Sequence, residues 1–323
     1  MRYCAPIRGI CSITGQSLPS LKTRFIVNPH SGRAARALPA VQAFATAHLA
    51  EVVRTAGPRH AAELAARAIA DGCELVVSVG GDGTMNEIAA VLMDRGVMLG
   101  LVPCGSGDGL ALSLGIPRAV PRALQVLLTG RPRSIDTAQV NGRPFFNAVG
   151  LGYEADIAQR FAGFRSRGLL GYVRAGVPLF FTRRQEPVTV HHDRGRATLT
   201  IWSLAVQNSE QLGNNLITAP GARVDDGRLD LVATAPVSLL GAVGLAARIA
   251  TDTIDRARGI TWLRSAHFVI ERRTAGLIHT DGEPREADAR LEISVRPRSL
   301  RVMVPTPDEP AYIPVAPGEL AGA

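Results

Sequence analysis

Lysine is all but missing: of 36 lysines and arginines, only Lys22 is a lysine. That excludes a P-loop, which needs G-x-x-x-x-G-K-[ST], and equally a protein-kinase nucleotide lysine. Aromatic residues make up only 5 %, with no basic run interleaved by rings, which argues against a platform for single-stranded nucleic acid. The four cysteines, Cys4, Cys11, Cys73 and Cys104, form no C-x-x-C pair, and a reduced cytoplasmic compartment is the simpler reading. Long apolar runs are lacking too: "SLLGAVGLAARIA" is too short to span a bilayer. The opening "MRYCAPIRGICSITGQSLPS" has no apolar stretch of signal-peptide length, so residues 1–22 read as a disordered extension.

What is present suffices for two domains: 323 residues, 46 % of them hydrophobic, with net charge +8 carried almost entirely by arginine. From Thr23 the chain alternates strand-like runs ("RFIVN", "EVVRT", "ELVVSVGG", "MLGLVPCG") with helix-like ones, the rhythm of a parallel α/β sheet over 23–137. After "GRPRSIDTAQVNG" shorter β-like runs dominate: "PFFNAVGLG", "EPVTVHHD", "ATLTIWSLAVQN", "RLDLVAT", "HFVIERR" and "LEISVRP". Helical stretches interrupt around 165–183 and 237–257. A second, mainly antiparallel domain is expected over 138–297.

Three small-residue turns end strands of the parallel sheet: "NPHSG" at 28–32, "GGDGT" at 80–84 and "PCGSGDG" at 103–109. Such turns expose backbone N–H groups at helix starts, and ligands bind at the carboxyl ends of parallel strands. In the second turn the pattern predicts a helix from Met85 with Thr84 and Glu87 spaced as a capping box. Asp82 is left at the tip, suited to a phosphate-bound Mg²⁺ or a hydroxyl proton. No G-x-G-x-x-G fingerprint completes at Gly105 or Gly107, which demotes a dinucleotide enzyme.

In order, "NPHSG", "GGDGTMNE", "PCGSGDGLALSLGIP", "FNAVGLGYEADIA", "ARVDDGRLDLV" and "HTDGEP" resemble the diacylglycerol kinase and sphingosine kinase type of lipid kinase, including bacterial soluble lipid kinases. The similarity spans roughly 23–306. It implies an α/β nucleotide domain like that of NAD kinases and diacylglycerol kinases, a C-terminal β-sandwich for the acceptor lipid, and a last segment, 298–314, returning to the first domain. Carried over by motif, ATP is contacted by Asn28, Pro29, His30, Ser31, Gly32, by Gly81, Asp82, Gly83, Thr84, Met85, Asn86, Glu87 and by Ser106, with Thr55 nearby. A structural Mg²⁺ is implied at Asp226 and the carbonyls of Arg223 and Arg228, although a plain hairpin turn reads equally from "RVDDGR". Asp281, with Glu283 beside it, is implied as the base on the lipid hydroxyl; sphingosine kinases favour the Asp82 position instead. Where many bacterial members have G-T-G-N-D, this chain has Gly105-Ser106-Gly107-Asp108-Gly109, and Asp108 adds a charge beside the expected polyphosphate.

His191-His192-Asp193 lacks metal-ligand spacing and reads as a strand end, and Cys104 reads as core. The segment 164–184, "FRSRGLLGYVRAGVPLFFTRR", reads as a core helix, or as the best basic-apolar candidate for membrane contact. The expectation is an ATP- and Mg²⁺-dependent lipid kinase acting on diacylglycerol or a sphingoid base. It is cytoplasmic, meets its lipid peripherally at a membrane surface and binds no nucleic acid; a homodimer is among the states left open. The rival readings are an NAD kinase-like enzyme and a catalytically silent nucleotide- or lipid-binding module.

Overall fold

The computed structural model describes residues 21–162, 176–181, 185–214, 216–251 and 253–306. Residues 1–20 of the expected extension, with Cys4 and Cys11, lie outside the described residues, as do most of 164–184 and all of 307–314.

Four apolar runs build a parallel sheet. β1 (Thr23–Val27), β2 (Glu51–Arg54), β3 (Leu75–Gly80) and β4 (Met98–Pro103) lie in the order β2-β1-β3-β4. β1, β3 and β4 are buried along their whole length, as strands between two helical layers must be. The crossovers are α1 (Ala34–Ala47), α2 (His60–Ala70) and α3 (Asp82–Leu92), followed by α4 (Gly109–Ser113) and α5 (Val120–Thr129). On α1 the buried side is Ala34, Ala37, Val41 and Ala45, the three-to-four spacing of a helix face turned to a core. α3 starts at Asp82, not Met85, so the helix dipole favours the Asp82 carboxylate in the first turn.

The second domain is a sandwich. Its elements are β5 (Arg131–Val140), β6 (Arg143–Phe145), β7 (Ala148–Gly152), α6 (Tyr153–Ala162), β8 (Glu186–His192), β9 (Gly195–Ile201), β10 (Ser203–Gln207), β11 (Leu229–Thr234), α7 (Leu239–Ala250), β12 (Ile260–Ser265), β13 (His267–Arg272), β14 (Gly276–Thr280), β15 (Glu283–Ala287) and β16 (Arg290–Val304). One sheet is antiparallel throughout, β12-β11-β10-β7-β14-β15. Its inward residues, Val149 and Leu151, Leu204 and Val206, Leu229 and Leu231, pack on Val188 and Val190, Phe268 and Ile270, Leu291 and Ile293 of the facing layer. Each pair is two residues apart, the period of a strand with one face in a core.

The two domains share a sheet. β16 pairs antiparallel with β13 at its start, antiparallel with β5 from Ile293 to Val304 and parallel with β4 at Arg301 and Val302, so the expected boundaries near 137 and 297 fall inside continuous strands. A register shift between Arg296 and Leu300, with Arg298 at φ 51°, lets one strand serve both. The buried Asp136 fixes this bend, accepting from the N–H of Arg298 (2.8 Å) and of Gly227 (2.7 Å).

Two apolar runs break where one strand was expected. "ATLTIWSLAVQN" divides at Trp202, because β9 belongs to one sheet and β10 to the other. "PFFNAVGLG" divides at Phe146 and Asn147, whose N–H groups leave the ladder for a carboxylate described below. Hydropathy reports that a strand is buried, not which sheet buries it. Among the described residues no helix is long and apolar enough to cross a membrane.

Candidate active site

The three glycine turns meet at the carboxyl edge of the parallel sheet, and they touch each other first. Asn28 N–H donates to Val79 O (3.0 Å), Cys104 N–H to Gly80 O (2.7 Å) and Arg33 N–H to Cys104 O (2.8 Å). Gly32 sits at φ 50°, where a Cβ would lie 2.0 Å from Cys104 O, and a Cβ on Gly81 would lie 3.0 Å from Gly105 Cα. Backbone against backbone therefore demands these glycines before any ligand does. Asn28 Nδ2 donates to Thr84 Oγ1 (3.0 Å), which turns that hydroxyl inward. His30 and Ser106 stand exposed at the rim, Pro29 and Ser31 are half-buried, and Thr55 is buried at the end of β2.

Not every motif residue reaches the turns. The expected Thr84–Glu87 capping box is absent: Gly81 caps α3 with no side-chain acceptor. Glu87 caps α2 instead, accepting from the N–H of Arg59 (3.0 Å) and Ala61 (3.1 Å). Met85 is buried beneath the turn, and Asn86 keeps a buried Oδ1 without a hydrogen-bond partner. A cavity of about 20 Å³ lined by Ser78, Asp82 and Asp108 holds no more than one water, so anything larger must lie above the turns.

Asp82 is no free carboxylate at a tip. Its oxygens accept from the N–H of Asp108 and Gly109, both at 2.9 Å, and tie the second turn to the third. Asp108 points inward rather than toward a ligand: its side chain is 2 % exposed and paired with Arg118 (3.2 Å), while Oδ1 accepts from Gly105 N–H (2.9 Å). Burial pushes the Asp108 carboxyl up, the Asp82 charge adds to that, and Arg118 with the Gly105 N–H opposes it. Cys104 is buried, and burial pushes its thiol up to about 11, which suits core and not a nucleophile.

Opposite stands Asp281, at the β14–β15 turn with φ 51°. Its oxygens accept from the N–H of Phe146 (2.9 Å), Asn147 (2.8 Å) and Ala148 (3.0 Å). The residue keeps intermediate exposure overall, with its carboxyl oxygens turned to these N–H groups. Burial pushes its pKa up to about 6 against the pull of those N–H groups, and the nearby Asp82 charge adds to the push. A Cβ on Gly83 would lie 3.4 Å from Glu283 Oε1, and one on Gly109 would lie 3.0 Å from Asn147 Nδ2. Asp281 and Glu283 thus face Asp82 and the start of α3 across the domain junction.

Residues outside the motifs hold this arrangement. Asn208 Nδ2 donates to the carbonyls of Asp136 (2.9 Å) and Phe146 (3.1 Å), and Ser209 Oγ to Asn147 Oδ1 (3.0 Å), bracing the segment that grips Asp281. The signal for them in sequence is a polar run, "QNSEQ", directly after an apolar strand, and Arg118 carries none. His191 lies beside Glu271 on a strand end, and among the described residues no cluster of three acidic, His or Cys side chains could hold a metal.

At the "RVDDGR" turn Asp226 accepts from Arg228 N–H (3.0 Å) and is paired with the Arg264 guanidinium; Asp225 pairs with Arg133 and Arg223. A divalent ion bound by Asp226 and the carbonyls of Arg223 and Arg228 would have to displace Arg264. As folded, these residues do not present a vacant cation site.

Family comparison agrees with this architecture. A model of the diacylglycerol kinase catalytic domain matches residues 22–140, and one of the YegS C-terminal NAD kinase beta sandwich-like domain matches 147–304. A Pseudomonas aeruginosa protein named "Probable lipid kinase YegS-like" is 31 % identical over 252 residues, 74 % of this chain and 79 % of that one. The chain belongs to the YegS-like lipid kinase family. An Enterobacter relative of the same name is 29 % identical over 261 residues, while an uncharacterised Synechocystis protein is 25 % identical and is spanned over only 56 % of its length. A solved diacylglycerol kinase structure from Bacillus anthracis shares the fold with TM-score 0.67 at 19 % identity, covering 88 % of this chain and 97 % of that one.

Proposed function

We propose that this protein transfers the γ-phosphoryl group of Mg·ATP to a hydroxyl of a membrane lipid, with diacylglycerol or a sphingoid base as the acceptor. The observation that carries this reading is the Asp281 carboxyl, raised to about 6, opposite an α3 N-terminus that no side chain caps. A general base works best when its pKa lies near the working pH, and at pH 7 Asp281 is ionised yet basic enough to take a hydroxyl proton.

In this reading ATP lies across the glycine turns, held by residues of 28–32, by the N–H groups at the start of α3 and by Ser106, with backbone N–H groups in place of the missing lysine. Mg²⁺ arrives with the nucleotide and neutralises phosphate charge. Asp281 takes the proton of the acceptor hydroxyl, Asp82 holds the second and third turns in register, and Glu283 orients the acceptor beside Gly83. Peripheral membrane contact is supported by Leu239, Leu240 and Val243 of α7 and by Val177 and Phe181, all exposed. Phe180, next to Phe181, packs on Trp202 at 5.5 Å, and Trp202 N–H donates to Thr234 O at the end of the strand that precedes α7.

Transfer of labelled γ-phosphate to a panel of diacylglycerol, sphingosine, ceramide, phosphatidylglycerol and NAD tests this. A labelled lipid is expected. Label on NAD alone overturns the lipid reading, and no label on any acceptor returns a silent binding module.

A further inference from the structure

We propose that Arg118, compensated by Asp108, is a positioning residue that turns two peptide N–H groups of the third glycine turn outward to receive phosphate. The inference rests on the nucleotide reading of the turns. Arg118 donates from Nη2 to the carbonyls of Gly105 (3.2 Å) and Ser106 (2.9 Å), from Nε to Asp108 Oδ2 (3.2 Å) and from Nη1 to Asn214 Oδ1 (3.4 Å).

A trans peptide points its N–H opposite its C=O. With the carbonyls of residues 105 and 106 drawn to the guanidinium, the N–H groups of Ser106 and Gly107 face away from it. Among the described residues neither of these N–H groups has a protein acceptor, and Ser106 is exposed. Successive free N–H groups in a turn form an anion-binding concavity.

Asp108 completes the device. It adopts a left-handed conformation, φ 53°, and its Oδ1 takes the Gly105 N–H, which directs that donor inward. The inward carboxylate lies in the field of Asp82, and Arg118 is the cation that makes its burial tolerable. Charge here is spent on the shape of the turn, and the phosphate meets backbone. An asparagine at 108 would keep the Gly105 bond and need no cation, so that part of the dependence on Arg118 belongs to the Asp108 side chain and the rest to the two carbonyls.

Equilibrium binding of ATP to the full chain, with KM and kcat for the transfer reaction, tests this in Arg118→Gln, Asp108→Asn and the double variant. Arg118→Gln is expected to weaken ATP binding about 10- to 100-fold, mainly in KM, since it releases the two carbonyls and strands a buried carboxylate. Asp108→Asn alone should lose less, and the double variant should recover only the share of the loss due to the stranded carboxylate, staying several-fold weaker than the parent because the carbonyls of 105 and 106 still lack the guanidinium. Binding by Arg118→Gln within about twofold of the parent, or a double variant restored to the parent's affinity, overturns the proposal. If Arg118→Gln does not fold, Arg118→Lys keeps the charge without the fork; it should still weaken ATP binding several-fold, and unchanged binding overturns the proposal. Hydrogen exchange of amides 105–109 without ligand separates this inference from the nucleotide reading. Faster exchange in Arg118→Gln that persists in the double variant supports the clamp and unchanged exchange overturns it, whereas a parent chain that binds no ATP overturns the nucleotide reading.

Discussion

Two carboxylates face each other across the domain junction, and both are bound only by backbone N–H groups. Asp82 accepts two, from Asp108 and Gly109 of its own domain, while Asp281 accepts three, from Phe146, Asn147 and Ala148. Hydrogen bonds to a carboxylate lower its pKa, yet Asp281, with more donors, is pushed up to about 6. Burial wins over the donors there. The same kind of contact thus does different work: at Asp82 it ties two turns together, and at Asp281 it aims a carboxyl whose proton affinity burial has raised.

The strongest way to break that contrast is to neutralise each partner. Asp281→Asn should lower turnover by on the order of 10² to 10⁴ with ATP binding nearly unchanged, the pattern of a lost general base. Near-normal turnover in Asp281→Asn, with the large loss in Asp82→Asn instead, would exchange the two roles. A smaller effect sharpens it: the base form of Asp281 exists above its pKa, so kcat/KM should fall about tenfold per pH unit below about pH 6. A flat profile from pH 5 to 7 would take Asp281 out of the proton transfer. The smallest effect concerns a third carboxylate, Asp226, held by a guanidinium and not by N–H groups alone. Arg264→Ala should cost at most about 1 kcal/mol in urea unfolding, because the pair is partly exposed. Millimolar Mg²⁺ should leave the parent's unfolding midpoint in place, and a rise with Mg²⁺ would show that the ion displaces Arg264.

Much of this was legible in residue order. Continuous apolar runs ending in glycine turns announce a parallel sheet with its ligand edge, since only strands covered on both faces read that way. Shorter alternating runs announce the sandwich. The motif order placed Asp82 and Asp281 among the chemistry-bearing residues, and the structure sets them face to face. It also removes Glu87 to the cap of α2 and Met85 to the core, because a helix that starts at Asp82 sends its next turn toward α2.

Asp108 marks where residue order stops informing. As a sequence it is a charge added beside a phosphate loop; as a structure it is an inward carboxylate compensated ten positions away by Arg118. Asn208 and Ser209 brace Asp281's donors from just beyond β10, beside β7 in the same sheet but far from it in the chain. Local composition and periodicity, which act over a few residues, determined the two domains and the glycine turns with Asp82, and the resemblance of the motifs to a known family singled out Asp281. Which carboxylate is buried, which is tied to backbone and which is paired with arginine depended on contacts between segments far apart in the chain, and only the tertiary structure decided those.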